Sequence, residues 1–452
     1  MQKVTLLLLA LSGYSFLYGQ GFQEICSDTP FNGTMVNCNY YQDTLYATGF
    51  FNTICGESVG YIAKWEENEW RPSSVNITDP GHAMRTIGDK LYIARYEESI
   101  DSNWVYVYGN GTLSKLGEGI YLTTASGLSE LPNIYDIIEY NGKIIACGEF
   151  DRVGSANIQG IMEWDGNSWG PLGTGLSEGI DGSFPVLFPH QLLVHDGELY
   201  VTGNFKFAGG VEVNGIGKWD GTEWTALGDG FNGTVYSLIV YNGALIAGGS
   251  FTESGGTPVN RIAKWNGTSW ESLDFGFTPS SGYDFTFVHT MKVIDDELYM
   301  GGGLQQITYA DNTTEVCNGI VRYDGNTLDT FMGGVPNNDI EAICQLPNGQ
   351  LIVGGGVFGT GYSGIYVTET NTSELVSTAE VRLSPNPFTH SLQIESQLEI
   401  VSYQLVDQRG VVVQSGAFES ALSLEVPPGL YFLRLIAKDL SFSIHKVIRT
   451  IE

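Results

Sequence analysis

The sequence predicts an all-β protein: a seven-bladed β-propeller of four-stranded antiparallel blades, followed by a small C-terminal β-sandwich. Three observations carry this. A Leu or Ile, then Tyr or Ile, then Gly-rich sequence returns at Leu45, Leu91, Ile144, Leu199, Leu245, Leu298 and Leu351, in steps of 46 to 55 residues. An aromatic pair five residues apart follows it, as Trp65/Trp70, Trp164/Trp169, Trp219/Trp224 and Trp265/Trp270, with weaker copies at Tyr108/Leu113 and Tyr323/Leu328. Asn-Gly and Asp-Gly dipeptides punctuate the units, as in a chain of short strands and tight turns. Repetition at about 50 residues means radial stacking, because one four-stranded sheet cannot cover both of its faces.

The stretch from Val235 to Leu273 gives the unit in its clearest form. Four runs rich in β-formers, Val235–Tyr241, Ala244–Phe251, Arg261–Trp265 and Ser269–Leu273, are separated by Asn242-Gly243, a longer gap with Gly255-Gly256, and Asn266-Gly267. Asn-Gly suits a type I′ hairpin, which needs positive φ at both central residues.

The last unit has three strands, Ile340–Leu346, Gln350–Val357 and Gly364–Val367, and lacks a fourth. The segment before the first unit supplies a substitute, since Phe31-Asn32-Gly33-Thr34 copies Phe231-Asn232-Gly233-Thr234, which follows a fourth strand. Residues about 22–28 are therefore expected to complete the last blade and join the ring's ends without covalent help. In each meander the first and third connections share one face and are short. The second connections and the blade-to-blade links share the other and are long, so function is expected there.

Composition narrows the partners. Acidic residues number 51 against 21 basic ones, a net charge of −30, which argues against nucleic acid as a partner and suits a soluble exported protein. Residues 1–19, with Lys3 and the apolar run Val4–Leu11, read as a secretory signal peptide cleaved near Gly19-Gln20; no later segment reads as a membrane span. Of six cysteines, Cys26, Cys38 and Cys55 form the expected disulfide-pairing group, and Cys147 is expected as a small core residue.

The unit Leu-Tyr-x-x-Gly-x-Phe … Ile-Ala-Lys-Trp-x-Gly-x-x-Trp-x-x-Leu resembles the kelch-type propeller repeats of bacterial surface proteins, over roughly residues 22–367 of a propeller domain expected at 20–367. A polar stretch, 368–380, reads as a linker. Beyond it, residues 381–452 form short alternating strands. They resemble the type A C-terminal sorting domain of the type IX secretion system of Bacteroidetes. The matching positions are Pro385, Asn386, Pro387 and Phe388, the Asp407-x-x-Gly410 turn, Gly429-x-Tyr431 and Lys446-Val447-Ile448; Ser384 departs from the aromatic that often precedes the first Pro. The resemblance implies export through that machinery, passage across the outer membrane and a secreted or cell-surface destination.

Most repeated residues read as scaffold. Trp at fixed strand positions serves as blade-to-blade core, and Asp165, Asp220 and Asp324 are explained by turn chemistry. One position is different. Nine residues before each second-strand marker stand Val36, His82, Tyr135, His190, Tyr236, His289 and Ala342. Converging His and Tyr at a channel mouth form a candidate site for a small anionic or sugar ligand, or for a divalent metal; no other cofactor is implied. No nucleophile, zinc-protease or phosphate-loop motif occurs. The first functional reading is a non-catalytic binding or adhesion module for a glycan or protein; the alternative is a carbohydrate-active enzyme, glycosidase or lyase, with its site at the channel mouth.

Overall fold

The structure, a computed structural model, describes residues 22–24, 33–122, 132–180, 187–280, 284–330, 338–357, 363–368, 382–384, 389, 391–395, 400–407, 412–424, 426–437 and 442–450, apart from 55, 68, 76, 78, 98–101, 348, 419 and a few side chains. It divides into two compact units, one spanning 21–370 and one containing 371–452. Residues 1–19, almost all of 368–380 and Pro385–Pro387 lie outside the described residues, so the signal peptide, the linker and that part of the sorting motif have no structural account.

The larger unit is a β-propeller. The meander of Val235–Tyr241, Ala244–Gly249, Ile262–Trp265 and Trp270–Glu271 is a four-stranded antiparallel sheet in sequence order, and among the described residues five sheets carry this plan; a sixth, beginning with Gly81–Ile87, is extended by the short strands Arg152–Val153 and Ala156–Asn157, and a seventh takes its outer strand from Phe22–Glu24. They are called blades one to seven in chain order. Their first strands pack against one another in succession, and that of blade seven, Asn338–Gln345, returns to that of blade one, Met35–Tyr41. The second strand of each blade is nearly all buried, as in Ala244–Gly249, because both of its faces meet neighbouring blades.

Ring closure combines two devices. Phe22–Glu24 pairs antiparallel with Ser363–Thr368, so the N-terminal strand completes blade seven as its position implied. Covalent help is also present, contrary to the sequence expectation. Cys38 of blade one is bonded to Cys344 of blade seven across 306 residues, with Cα atoms 6.5 Å apart. The expected pairing within Cys26, Cys38 and Cys55 is thus corrected for Cys38; Cys26 and Cys55 lie outside the described residues. Spatial proximity at the closing seam decided the partner, and sequence proximity does not report it. Cys147 is fully buried, its Sγ 3.8 Å from the Pro189 carbonyl.

The tryptophans are core. The pairs sit with ring centroids 5.2–5.4 Å apart, and the second ring of each is almost wholly enclosed. Trp169 and Trp270 donate Nε1–H to the Leu116 and Leu227 carbonyls, both at 3.1 Å. These carbonyls belong to the preceding blade or the link leaving it, so each indole ties two blades together. Gly117 lies in the same seam at φ 74°; a Cβ there would stand 2.5 Å from Trp169 Cδ1.

The two tight turns of a blade differ from each other. Asn242-Gly243 has positive φ at both residues, 49° and 76°, as type I′ requires. At Asn266-Gly267 only the glycine is positive, at 102°. There Asn266 Oδ1 accepts the N–H groups of Thr268 and Ser269 at 3.0 and 2.9 Å, and the same turn recurs with Asp165, Asp220 and Asp324. The long connections are also more ordered than loops. Second connections fold into two-residue hairpins such as Glu253–Ser254 with Thr257–Pro258. Links add strands to the next blade's hairpin, as Leu176–Ser177 does on Phe207–Ala208.

The smaller unit is a sandwich. A sheet of Arg382–Ser384, Ser391–Glu395 and Ala421–Ser423 faces one of Val412–Ala417, Ile400–Asp407, Gly429–Ala437 and Phe442–Arg449. Leu392, Ile394 and Leu422 meet Leu405, Leu433 and Val447 in one core. Gly429 and Tyr431 open the third strand of the larger sheet, with Tyr431 donating its hydroxyl proton to the Pro427 carbonyl at 2.7 Å; Lys446 lies in the last strand.

Candidate ligand site in the central channel

Each first strand carries one bulge, and the bulges build the site. Pairing with the second strand skips one residue between Met35 and Asn37, and likewise at His82, Tyr135, His190, Tyr236 and His289. In blade seven the skipped residue is Glu341, between Ile340 and Ala342. A bulge leaves one residue unpaired and re-aims its side chain. Here it turns the skipped residue into the channel.

The position counted from the sequence coincides with the bulged residue in six blades and falls one residue late in the seventh, where Glu341 and not Ala342 is skipped. The cause is local. Blade seven spaces Leu346 and Gln350 by three residues across its first turn, where blade five spaces Tyr241 and Ala244 by two. Counting back from Leu351 then lands one residue late.

The structure brings His82, Tyr135, His190, Tyr236 and His289 together. Tyr135 stacks on His190 at 4.9 Å, His190 meets the edge of Tyr236 at 4.8 Å, and Tyr236 meets His289 at 5.3 Å. His82 lies 5.8 Å from Tyr135. His190 and His289 approach to 6.0 Å. Phe50 packs on His82 at 4.8 Å and Phe287 on Tyr236 at 5.6 Å, extending the aromatic layer beyond what the repeat pattern revealed. Phe50 is half exposed, and so is nearby-numbered Phe285.

Enclosure sets the charge of the ring. Burial pushes His82 down to about 4; burial, with the neighbouring His289 and His82, pushes His190 down to about 3, so both imidazoles are neutral at pH 7. Burial opposes protonation of His289 too, but the Asp339 carboxylate 3.7 Å from its Nδ1, with Glu341 beyond, raises its proton affinity. Burial pushes Glu341 up to about 7, His289 opposing and Asp339 adding to the shift. Among the described residues neither His289 Nδ1 nor Asp339 Oδ1 has a hydrogen-bond partner.

The ring residues themselves line a cavity of about 410 Å3. Its walls include Asn37, Asn39, Arg85, Asp136, Gln191, Ser237, Thr290 and Lys292. Several of these polar groups seal blades to one another. Asp136 takes both nitrogen–oxygen contacts of Arg85 at 2.9 and 3.0 Å, and accepts the N–H groups of Ile137 and of Leu192 in the next blade at 2.8 and 2.9 Å. Gln191 Oε1 accepts the Leu238 N–H at 2.6 Å, repeating the device one blade on. Sequence reading missed these residues because their types vary from blade to blade, and only their two registers, one and three residues past each bulge, unite them.

Among the described residues no group of three or more His, Cys, Asp and Glu is placed to hold a metal ion. In the ring, tyrosine rings stand between the imidazoles of His82 and His190 and beside that of His289, so the ring stacks faces and edges instead of converging nitrogens. Among the described residues no helix is long and apolar enough to cross a membrane.

Fold and site together define a β-propeller with an aromatic ring and a polar cavity in its channel. No protein-family model matches the chain, and no curated protein sequence matches it significantly. Solved structures that it resembles include the β-propeller domain of the Trilobed protease from Pyrococcus furiosus, with 11% identity, a TM-score of 0.31, and coverage of 66% of this chain and 95% of that one. The GH74 xyloglucanase from Xanthomonas campestris matches with 11% identity and a TM-score of 0.34, over 95% of this chain and 74% of that one. The endo-arabinase from Bacteroides thetaiotaomicron matches with 12% identity and a TM-score of 0.28, over 65% and 94%.

Proposed function

We propose that this chain is a secreted or cell-surface kelch-like propeller that binds a ligand at its channel without transforming it, and that residues 381–452 address it to the type IX secretion machinery. One observation carries the binding reading. Bulges in successive blades aim His82, Tyr135, His190, Tyr236 and His289 into one stacked aromatic layer beside a polar cavity. Flat aromatic faces flanked by fixed amides and hydroxyls suit a sugar-sized molecule.

The inward carboxylates support binding over hydrolysis. Asp136 accepts four hydrogen bonds and is occupied with holding blades together. Asp339 and Glu341 belong to one strand, Asn338–Gln345, whereas hydrolysis needs two carboxylates flanking the bond to be broken. The enzyme alternative keeps one observation in its favour, the proton that Glu341 holds up to about pH 7, which suits a general acid.

Affinity electrophoresis through a panel of neutral and acidic polysaccharides, with reducing ends assayed on the same samples, separates the two. Retardation without new reducing ends is expected. New reducing ends establish the enzyme reading, and no retardation on any polysaccharide overturns glycan binding.

A further inference from the structure

In blades three, four and six the residue before the third strand is a glycine in the left-handed region. Gly160, Gly215 and Gly319 have φ of 69°, 86° and 76°. Each donates its N–H to the carbonyl of Phe150, Phe205 or Leu304, and accepts the N–H of Gly148, Gly203 or Gly302. Blade five makes the same two bonds, to Phe251 and from Gly249, at φ 73°, but there the residue is Arg261. A Cβ is disfavoured in this conformation, and glycine relieves it. The strain at Arg261 is offset by what its side chain reaches.

Arg261 is only 4% exposed and runs to the entry of blade six. Its Nε donates to the Thr286 carbonyl at 2.7 Å, and one terminal nitrogen donates to the Phe251 carbonyl at 3.1 Å. The other terminal nitrogen pairs with the Asp284 carboxylate, which also accepts the Thr286 N–H at 3.2 Å. One rigid guanidinium thus fixes the chain on both sides of Phe285. Gly303 clears room for that segment, since a Cβ there would run into the Phe285 carbonyl. Among the described residues two phenylalanines are exposed, Phe50 at 47% and Phe285 at 53%, and both adjoin the ring. Phe50 packs on His82. Phe285 stands two residues, at most about 7 Å of chain, before Phe287, which packs on Tyr236 and His289. Single exposed apolar residues are ordinary, but two at one channel, one of them clamped by a strained and buried arginine, form a surface built for contact.

We propose that Phe285 is an outer subsite of the channel, a fixed aromatic face for the sugar ring that follows the one held by the His and Tyr layer, and that Arg261 is its positioning residue. This rests on the binding reading above and names the ligand class, a glycan of at least two linked rings. The cavity of about 410 Å3 suits one sugar-sized body, and Phe285 is not among its walls. A free monosaccharide therefore fills the cavity and misses Phe285, whereas a chain lays the apolar face of its next ring on it.

The test is affinity electrophoresis of the full chain, Phe285→Ala, Arg261→Gly and the double variant through graded laminarin, xylan, mannan and pectin. Calorimetry checks each fold first. Phe285 is exposed and glycine is the residue of three other blades, so all four proteins should unfold cooperatively; Asp284→Ala replaces Arg261→Gly if that variant does not. On the polysaccharide that retards the wild type most, each single variant should bind about tenfold more weakly. The double variant should bind no more weakly than Phe285→Ala, because Arg261 acts through Phe285. The melting shift given by the matching free monosaccharide should be the same in all four proteins. Equal retardation of the wild type and Phe285→Ala overturns the subsite and leaves the binding reading standing. Additive losses in the double variant, or wild-type binding by Arg261→Gly, overturn the positioning role. No retardation of the wild type on any of the four overturns the binding reading, and the subsite with it.

Discussion

Replacing Glu341 by Gln tests the geometry of the ring through a proton. The carboxyl is pushed from an ordinary 4.5 up to about 7 by burial among the channel walls, with Asp339 adding and His289 opposing. The fold therefore binds this proton more tightly than the unfolded chain does. Its contribution is complete below about pH 4.5 and is lost as pH rises through about 7. At about 1.4 kcal/mol per unit, the loss between pH 5 and pH 8 is about 2–3 kcal/mol. Gln has the same shape and no titration, so the variant lacks that loss. Urea unfolding of both proteins at pH 5 and pH 8 gives the stability difference at each pH. His82 and His190 occur in both proteins and cancel. The variant should gain on the wild type by about 2–3 kcal/mol between the two values. A difference constant within about 0.5 kcal/mol would mean that Glu341 is solvated and ionised throughout, and that the seventh bulge does not aim it into the channel.

The closing seam and the blade seams give further outcomes. Cys38→Ser/Cys344→Ser opens a 306-residue loop, for which chain-entropy scaling sets a ceiling of about 5–6 kcal/mol; the Phe22–Glu24 strand still holds the seam, so about 3–5 kcal/mol should be lost by urea unfolding. A loss below about 1 kcal/mol would show strand pairing to be sufficient. Deleting residues 20–30 from that double variant should remove cooperative unfolding of the propeller, which calorimetry reads directly. Gly117→Ala should cost about 2–3 kcal/mol, because φ is 74° and the new Cβ meets Trp169; an unchanged melting temperature would contradict the indole seam.

The architecture was legible because scaffold residues repeat. Trp70, Trp169, Trp224 and Trp270 answer the same packing demand in four blades, so the demand shows as a period. The N-terminal strand was legible for the same reason, since a missing copy in one place and a surplus copy in another imply each other. The five ring residues were found by register counting, which works as long as turn lengths are constant. It failed at Glu341, where one added turn residue moved the count to Ala342. Arg85 and Asp136 left no periodic signal, since they stand at different registers, three residues and one residue past the bulges of their strands, and differ in type from their counterparts in other blades. The Cys38–Cys344 bond was hidden by the closure itself, which joins residues far apart in the chain.

A glycan-array profile of the full chain beside His190→Leu tests whether the bulged ring forms a ligand site. Leucine fills similar space and keeps the ring dry, so both proteins should melt alike. The wild type should give discrete signals that disappear in the variant, because the face on Tyr135 is gone. Identical profiles from two equally folded proteins would place binding elsewhere and contradict a ligand site in the ring.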